Sequence, residues 1–175
     1  MSKTVQYLSQ IAAYLQVPSG KITFDSFSLP VRTHNNTSVT GFLNIILAYL
    51  KESKLDVLLG KTPEDKAEIY QWIEYADLYL QRPNASQIIN EHLPRLNGVL
   101  LKKTYLASNK LTIADVVLYY VLLSVMANIS HIEKEKFVNI SRWYDNLQQD
   151  DLLRQGNSLI NFNTSFLCII APAHH

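Results

Sequence analysis

The strongest constraint in this chain is the run Leu111–Asn128, a helix start signal followed by a segment apolar on every face. Thr112-Ile-Ala-Asp115 has the spacing of a capping box. The Thr112 side chain is placed to accept from the backbone N–H of Asp115, while the Asp115 carboxylate reaches back to the N–H of Thr112, which satisfies two otherwise orphaned donors. Leu111 and Val116 stand where a hydrophobic staple requires them. From Ile113 to Ala127 only Asp115 and Ser124 are clearly polar among the side chains. A helix apolar all round must be covered on all sides, and this run is shorter than the roughly 20 residues that span a bilayer. It is expected to be the central buried helix of a globular domain, with no membrane partner.

The rest of the chain supplies the cover. Of its 175 residues 47% are hydrophobic, enough for a packed core. The net charge of +1 implies no strong field toward nucleic acid or membrane. A single cysteine, Cys168, has no internal partner, and the N-terminus shows no apolar leader, so a cytoplasmic or nuclear setting is expected.

Residues 4–16 carry apolar side chains at helical spacing. Lys21–Phe24 and Leu29–Arg32 read as short strands, His34–Ser38 as a loop, and Thr40–Leu50 as a strongly apolar helix. A boundary is expected near Gly60, beyond which only helices are predicted. Thr62-Pro-Glu-Asp65 is a second capping box with Pro63 at the first helical position. The long helix that it opens should stop at Arg82-Pro83. A further helix over 86–102 contains Pro94, which predicts a kink or a late start. Ser130-His-Ile-Glu133 is a third box, and Phe137–Gln149 a last helix. The predicted division is 1–60, 61–156 and a tail over 157–175.

Two parts of this pattern resemble the glutathione-transferase superfamily. Tyr105-Leu-x-x-x-x-Leu-Thr-Ile-Ala-Asp115 resembles the capping-box and staple signature of its all-helical C-terminal domain, and Leu96-Asn97-x-x-Leu100 and Ser141-Arg142-Trp143 fit with it. Residues before Gly60 resemble a shortened thioredoxin-like half, with Leu29-Pro30-Val31 in the place of the strand-leading proline, often cis, and Phe42–Leu50 in the place of the following helix. Within the superfamily the chain is similar to the non-catalytic auxiliary proteins of the multi-aminoacyl-tRNA synthetase complex. Gln71-Trp-Ile-Glu-Tyr75, Leu118-Tyr-Tyr120, Glu133-Lys-Glu-Lys136 and Asn139-Ile-Ser-Arg-Trp143 carry that likeness. The fold implied is mainly α, a truncated thioredoxin-like α/β half followed by an all-helical domain.

Three functions compete. A working transferase needs a cradle for glutathione and a hydroxyl or thiol that stabilises its thiolate. Where active members carry a Glu-Ser pair at the helix start after the proline, this chain has Phe42-Leu43, and Tyr7 lies in a helical pattern. No catalytic residue and no cofactor is expected. His34, His92 and His131 lack ligand-spaced partners, so no metal site is expected either. A nucleic-acid contact would use Lys102, Lys103, Lys110, Lys134, Lys136 and Arg142, but acids interrupt the group and no stacking aromatics are interleaved. The third possibility, implied by the resemblance, is a scaffold that bridges methionyl-tRNA synthetase and glutamyl-prolyl-tRNA synthetase. An indirect link to initiator tRNA, or an elongation-factor-associated module, remains the alternative. The resemblance places Leu50, Ala67, Tyr70 and Gln71 at the first contact. It places Arg142 at the second; at about 100° per residue that side chain should point away from the core beside Asp145 and Asn146.

Overall fold

The computed structural model describes residues 2–81 and 84–163. The expected helix stop at Arg82-Pro83, Cys168 and most of the tail lie outside the described residues. Helix α1 (Lys3–Tyr14) leads into β1 (Lys21–Phe24), β2 (Pro30–His34) and β3 (Thr37–Thr40), then α2 (Phe42–Ser53) and a 3-10 turn (Asp56–Leu59). The sheet is antiparallel throughout, in the order β1-β2-β3, with Ile22 opposite Arg32 and Arg32 opposite Val39. Residues 34–38 are thus not the expected loop but a hairpin. Asn35 and Asn36 both adopt positive φ, 47° and 59°, and an asparagine pair tolerates the left-handed conformation that a two-residue turn demands. The residue before the strand-leading proline is joined to it by a trans bond.

The helical half begins at α3 (Pro63–Tyr75), which runs into a π segment (Ala76–Leu80); α4 (Ala85–Gln87), a second π segment (Ile88–His92) and α5 (Leu93–Val99) follow. The capping box at Thr62 forms as expected, Asp65 N donating to Thr62 Oγ1 at 3.1 Å and Thr62 N to Asp65 Oδ2 at 3.1 Å. Pro94 neither breaks the chain nor kinks it freely. The widened π turn just before it, with Leu93 N bonded to Ile88 O, removes the clash between a proline ring and the carbonyl four residues back. Then come α6 (Ile113–Asn128), α7 (His131–Lys136), α8 (Val138–Gln148) and α9 (Asp151–Arg154).

Every residue of α6 from Ile113 to Leu122 is buried, and the helix is packed by α1, α3 and the π segment after α3. Buried side chains from both sides of Gly60 join one hydrophobic core. Gly60 sits at φ 73°, and a Cβ there would lie 2.4 Å from Asp65 Cβ, so the chain can pass the second capping box only as glycine. Among the described residues no helix is long and apolar enough to cross a membrane.

One core interaction has no sequence signal. Arg32, 2% exposed on the inner sheet face, donates to Glu52 through Nη1 and Nη2 at 2.6 and 2.7 Å, and to the carbonyls of Ser19 and Pro18 at 3.1 and 2.8 Å. Its guanidinium also lies 4.5 Å from the Tyr49 ring centroid. Four of its five N–H donors are therefore used, and the charge is paired, which is the condition for a buried cation to be tolerated. The Arg32 bonds hold the Glu52 carboxyl below its ordinary value, while burial pushes the Tyr49 hydroxyl up to about 12. A depressed carboxyl pKa contributes stability above the unfolded value, and that stability is lost as pH falls through the folded value. Glu52→Gln should therefore lower the melting temperature at pH 7, with the gap to the parent protein closing as pH drops through the carboxylate range. Thermal unfolding followed by circular dichroism at several pH values measures this; a gap constant with pH would refute it.

Candidate functional site

The buried polar cluster of the helical half is the one around Asp115, which is fully buried. Its carboxylate accepts from Leu106 N at 2.9 Å, Thr112 N at 3.0 Å, Thr112 Oγ1 at 2.8 Å and Trp143 Nε1 at 2.9 Å. The reciprocal box forms, and the Thr112 hydroxyl, expected only as an acceptor, also donates to the acid. Burial raises the Asp115 pKa, opposed by these four donors. No substrate could reach the group, so it organises the fold and does no chemistry. Asp115→Ala leaves buried donors unpaired, each costing on the order of 1–3 kcal/mol. Its unfolding free energy in denaturant should fall by about 3 kcal/mol, and that of Trp143→Phe by roughly 1–2 kcal/mol through the loss of one bond to a carboxylate. A change below about 0.5 kcal/mol in the alanine variant would contradict this role.

A second candidate lies beside Pro30. A cavity of about 350 Å³ lies among Thr4, Phe24, Phe27, Leu29, Asp77 and Gln81. Asp25 Oδ1 accepts from Phe27 N and Leu29 N, each at 2.9 Å, and Asp25 N donates to Leu29 O at 3.0 Å. The backbone ahead of Pro30 is thereby closed upon itself. At the start of α2 the Phe42 side chain is 2% exposed, so this helix N-terminus carries a core residue in place of an anion-holding hydroxyl. Tyr7 is buried in α1, and burial raises its pKa.

The lysines do not form a patch. Lys134 is buried, with Nζ on Asn161 O at 3.0 Å. Lys103 pairs with Glu68, while Lys102 and Lys110 are exposed. His92 Nδ1 lies 2.7 Å from the Tyr75 hydroxyl, in an aromatic contact with Tyr79. Among the described residues no group of three His, Cys, Asp or Glu side chains is arranged to hold a metal.

Two helix faces remain. On α3, Ala67, Gln71 and Glu74 are exposed and Tyr70 is half-buried, and Leu78 one turn on is 54% exposed. Leu50 does not belong with them: it is fully buried on the stripe of α2 that also holds Phe42, Ile45, Ile46 and Tyr49. Because α2 is apolar on its outer side as well, at Leu43 and Leu47, periodicity could not tell the inner stripe from the outer one. The second face is on α8. Trp143 is buried there, while Arg142 and Asn146 are exposed and Asp145 is half-buried. Arg142 is not loosely solvated, since its Nη2 donates to Leu100 O at 2.8 Å and Lys103 O at 2.9 Å, closing the end of α5. Asn97 fixes the same junction by accepting from Asn139 N at 2.8 Å and Ile140 N at 3.2 Å. These tertiary bonds left no trace in helical spacing.

An antiparallel remnant of a thioredoxin-like sheet, followed by helices around a buried capped helix, is a glutathione-transferase-like fold. Bombyx mori glutathione transferase BmGSTD1 superposes with a TM-score of 0.66 at 18% identity, over 92% of this chain and 89% of that one. The sequence narrows the class. The family model described as nuclear-export cofactor Arc1p matches residues 65–151. Eukaryotic translation elongation factor 1 epsilon-1 of Homo sapiens is 36% identical over 135 residues, which are 77% of this chain and 78% of that protein. A bifunctional glutamate/proline–tRNA ligase of Mus musculus is 30% identical over 115 residues, 64% of this chain and 7% of the ligase. The chain belongs to the family of eukaryotic translation elongation factor 1 epsilon-1.

Proposed function

We propose that this protein is a non-catalytic scaffold that joins aminoacyl-tRNA synthetases in the cytoplasm, with a nuclear pool as a further location. Its family sets it in protein biosynthesis. The observation that carries the non-catalytic reading is Phe42. A buried phenyl ring stands at the helix start where a transferase must hold the carboxylate of glutathione, and the neighbouring backbone is spent on Asp25.

The outer faces of α3 and α8 supply the scaffold. Methionyl-tRNA synthetase is assigned to the α3 face around Ala67, Tyr70 and Gln71, and glutamyl-prolyl-tRNA synthetase to the α8 face around Arg142 and Asp145. The likeness to part of a glutamate/proline–tRNA ligase supports the second assignment, because domains of one fold pair through matching helical faces. The guanidinium of Arg142 is already held flat against the end of α5 by two carbonyls, so little of its freedom is lost on docking. An initiator tRNA bound to the first synthetase would be reached through that partner; the described lysines offer no stacking groove of their own.

Affinity measurements with each purified synthetase test this. Ala67→Arg places a bulky cation on the α3 face and should weaken methionyl-tRNA synthetase binding by tenfold or more, about 1.4 kcal/mol or above, while the other partner is unaffected. Arg142→Ala should do the reverse. Binding of both synthetases unchanged by both substitutions would sink the two-face assignment, and turnover of glutathione with a model electrophile would sink the non-catalytic reading.

A further inference from the structure

After α9 the chain doubles back over α8. Gln155, at φ 52°, begins the reversal, and its Nε2 is tied to Gln10 O at 2.7 Å and to the Tyr120 hydroxyl at 2.8 Å. The extended segment beyond it is then gripped by two buried polar side chains. Gln148, 2% exposed, accepts from Ile160 N at 2.8 Å and donates to Ile160 O at 2.8 Å. This is the paired N–H and C=O contact that a neighbouring strand would make, here made by one amide, and it reads only main chain. Lys134, 7% exposed, donates to Asn161 O at 3.0 Å and lies 5.3 Å from the Phe162 ring centroid.

We propose that Asn157–Asn163 is a strap acting in cis that sets the α8 face for its partner through Gln148, so that seating the strap and docking the partner form one coupled equilibrium. The link is a single nitrogen. Gln148 Nε2 donates both to Ile160 O and, at 2.7 Å, to Asp145 Oδ1. An amide nitrogen has two hydrogens, and each is committed, one to the strap and one to the acid assigned to the docking face. Unseating the strap frees the amide to rotate toward other partners, and Asp145 Oδ1 is then left with the longer bond from Gln149 Nε2, at 3.3 Å. The strap also borders the face directly: Asp145, Gln148 and Gln149 share a cleft of about 340 Å³ with residues 159–163, and Leu159 on its rim is 56% exposed. A partner that covers α8 would meet this segment as well as the helix. Coupling of this kind is reciprocal in binding free energy, so the bound partner must hold the strap down as firmly as the strap favours the partner.

The inference rests on the α8 assignment above, and the test separates the two. Hydrogen exchange of the amides of residues 157–163 is followed in the full chain, alone and with full-length glutamyl-prolyl-tRNA synthetase, and affinity is measured in parallel. Ile160→Pro removes the N–H that Gln148 accepts without altering α8; Gln148→Glu removes the donors from the helix side. Both should speed exchange of the strap and weaken the partner by on the order of tenfold, the loss expected if about a tenth of molecules stay competent. Partner binding should slow strap exchange in the parent protein. Fast exchange with undiminished affinity in Ile160→Pro would overturn the coupling alone, and so would strap exchange in the parent protein at the rate of an unstructured peptide. No binding by the parent protein would remove the α8 assignment and the coupling together.

Discussion

The structure turns on a buried carboxylate. Asp115 collects donors from the loop before α6, from the start of α6 and from α8, and so ties the entry to α6 and a helix 28 residues further on to one point. A charge-accepting group sealed from water is tolerated only if its lone pairs are filled, and here they are. The cost of emptying any of them couples α8 to the start of α6, since Trp143 supplies one of the four bonds. With that node closed, the ten buried residues that begin α6 can act as the wall against which α1 and α3 pack.

Once the central helix is fixed, the outer faces are decided by subtraction. The inward side of α8 is committed to Ile140, Trp143, Tyr144 and Leu147, which leaves Arg142, Asp145 and Asn146 outward. The inward side of α3 is committed to Ile69, Trp72 and Ile73, which leaves Ala67, Gln71 and Glu74. The scaffold proposed above needs rigid faces on rigid elements, and both helices offer them. The same subtraction applies at the start of α2, where the Phe42 ring is committed to the core.

Much of this was legible before any coordinates. The capping boxes at Thr62, Thr112 and Ser130 gave three helix starts because their signal is local and chemical. Failures came where the deciding contact is distant. The hairpin at Asn35-Asn36 was missed because β3, Thr37–Thr40, is polar at every position but Val39 and so shows no apolar alternation. Leu50 was placed at an interface and is core, since α2 is apolar on both sides. Lys134 was grouped with the cations that a nucleic-acid contact would use, yet the returning chain covers it. Arg32 looked like an ordinary strand residue, and only the tertiary fold brings Glu52 and two carbonyls to it.

The packing of α1 against α6 bears on the order in which the fold can close. Helix α1 leaves the ribosome ahead of α6, and the α6 surface on which it packs lies roughly 100 residues later, a delay of some seconds at about 5–20 residues per second. Gln155, which bonds to Gln10 O, arrives later still. In that interval α2, which also packs on α1, can shield the apolar face of Leu8, Ile11 and Ala12.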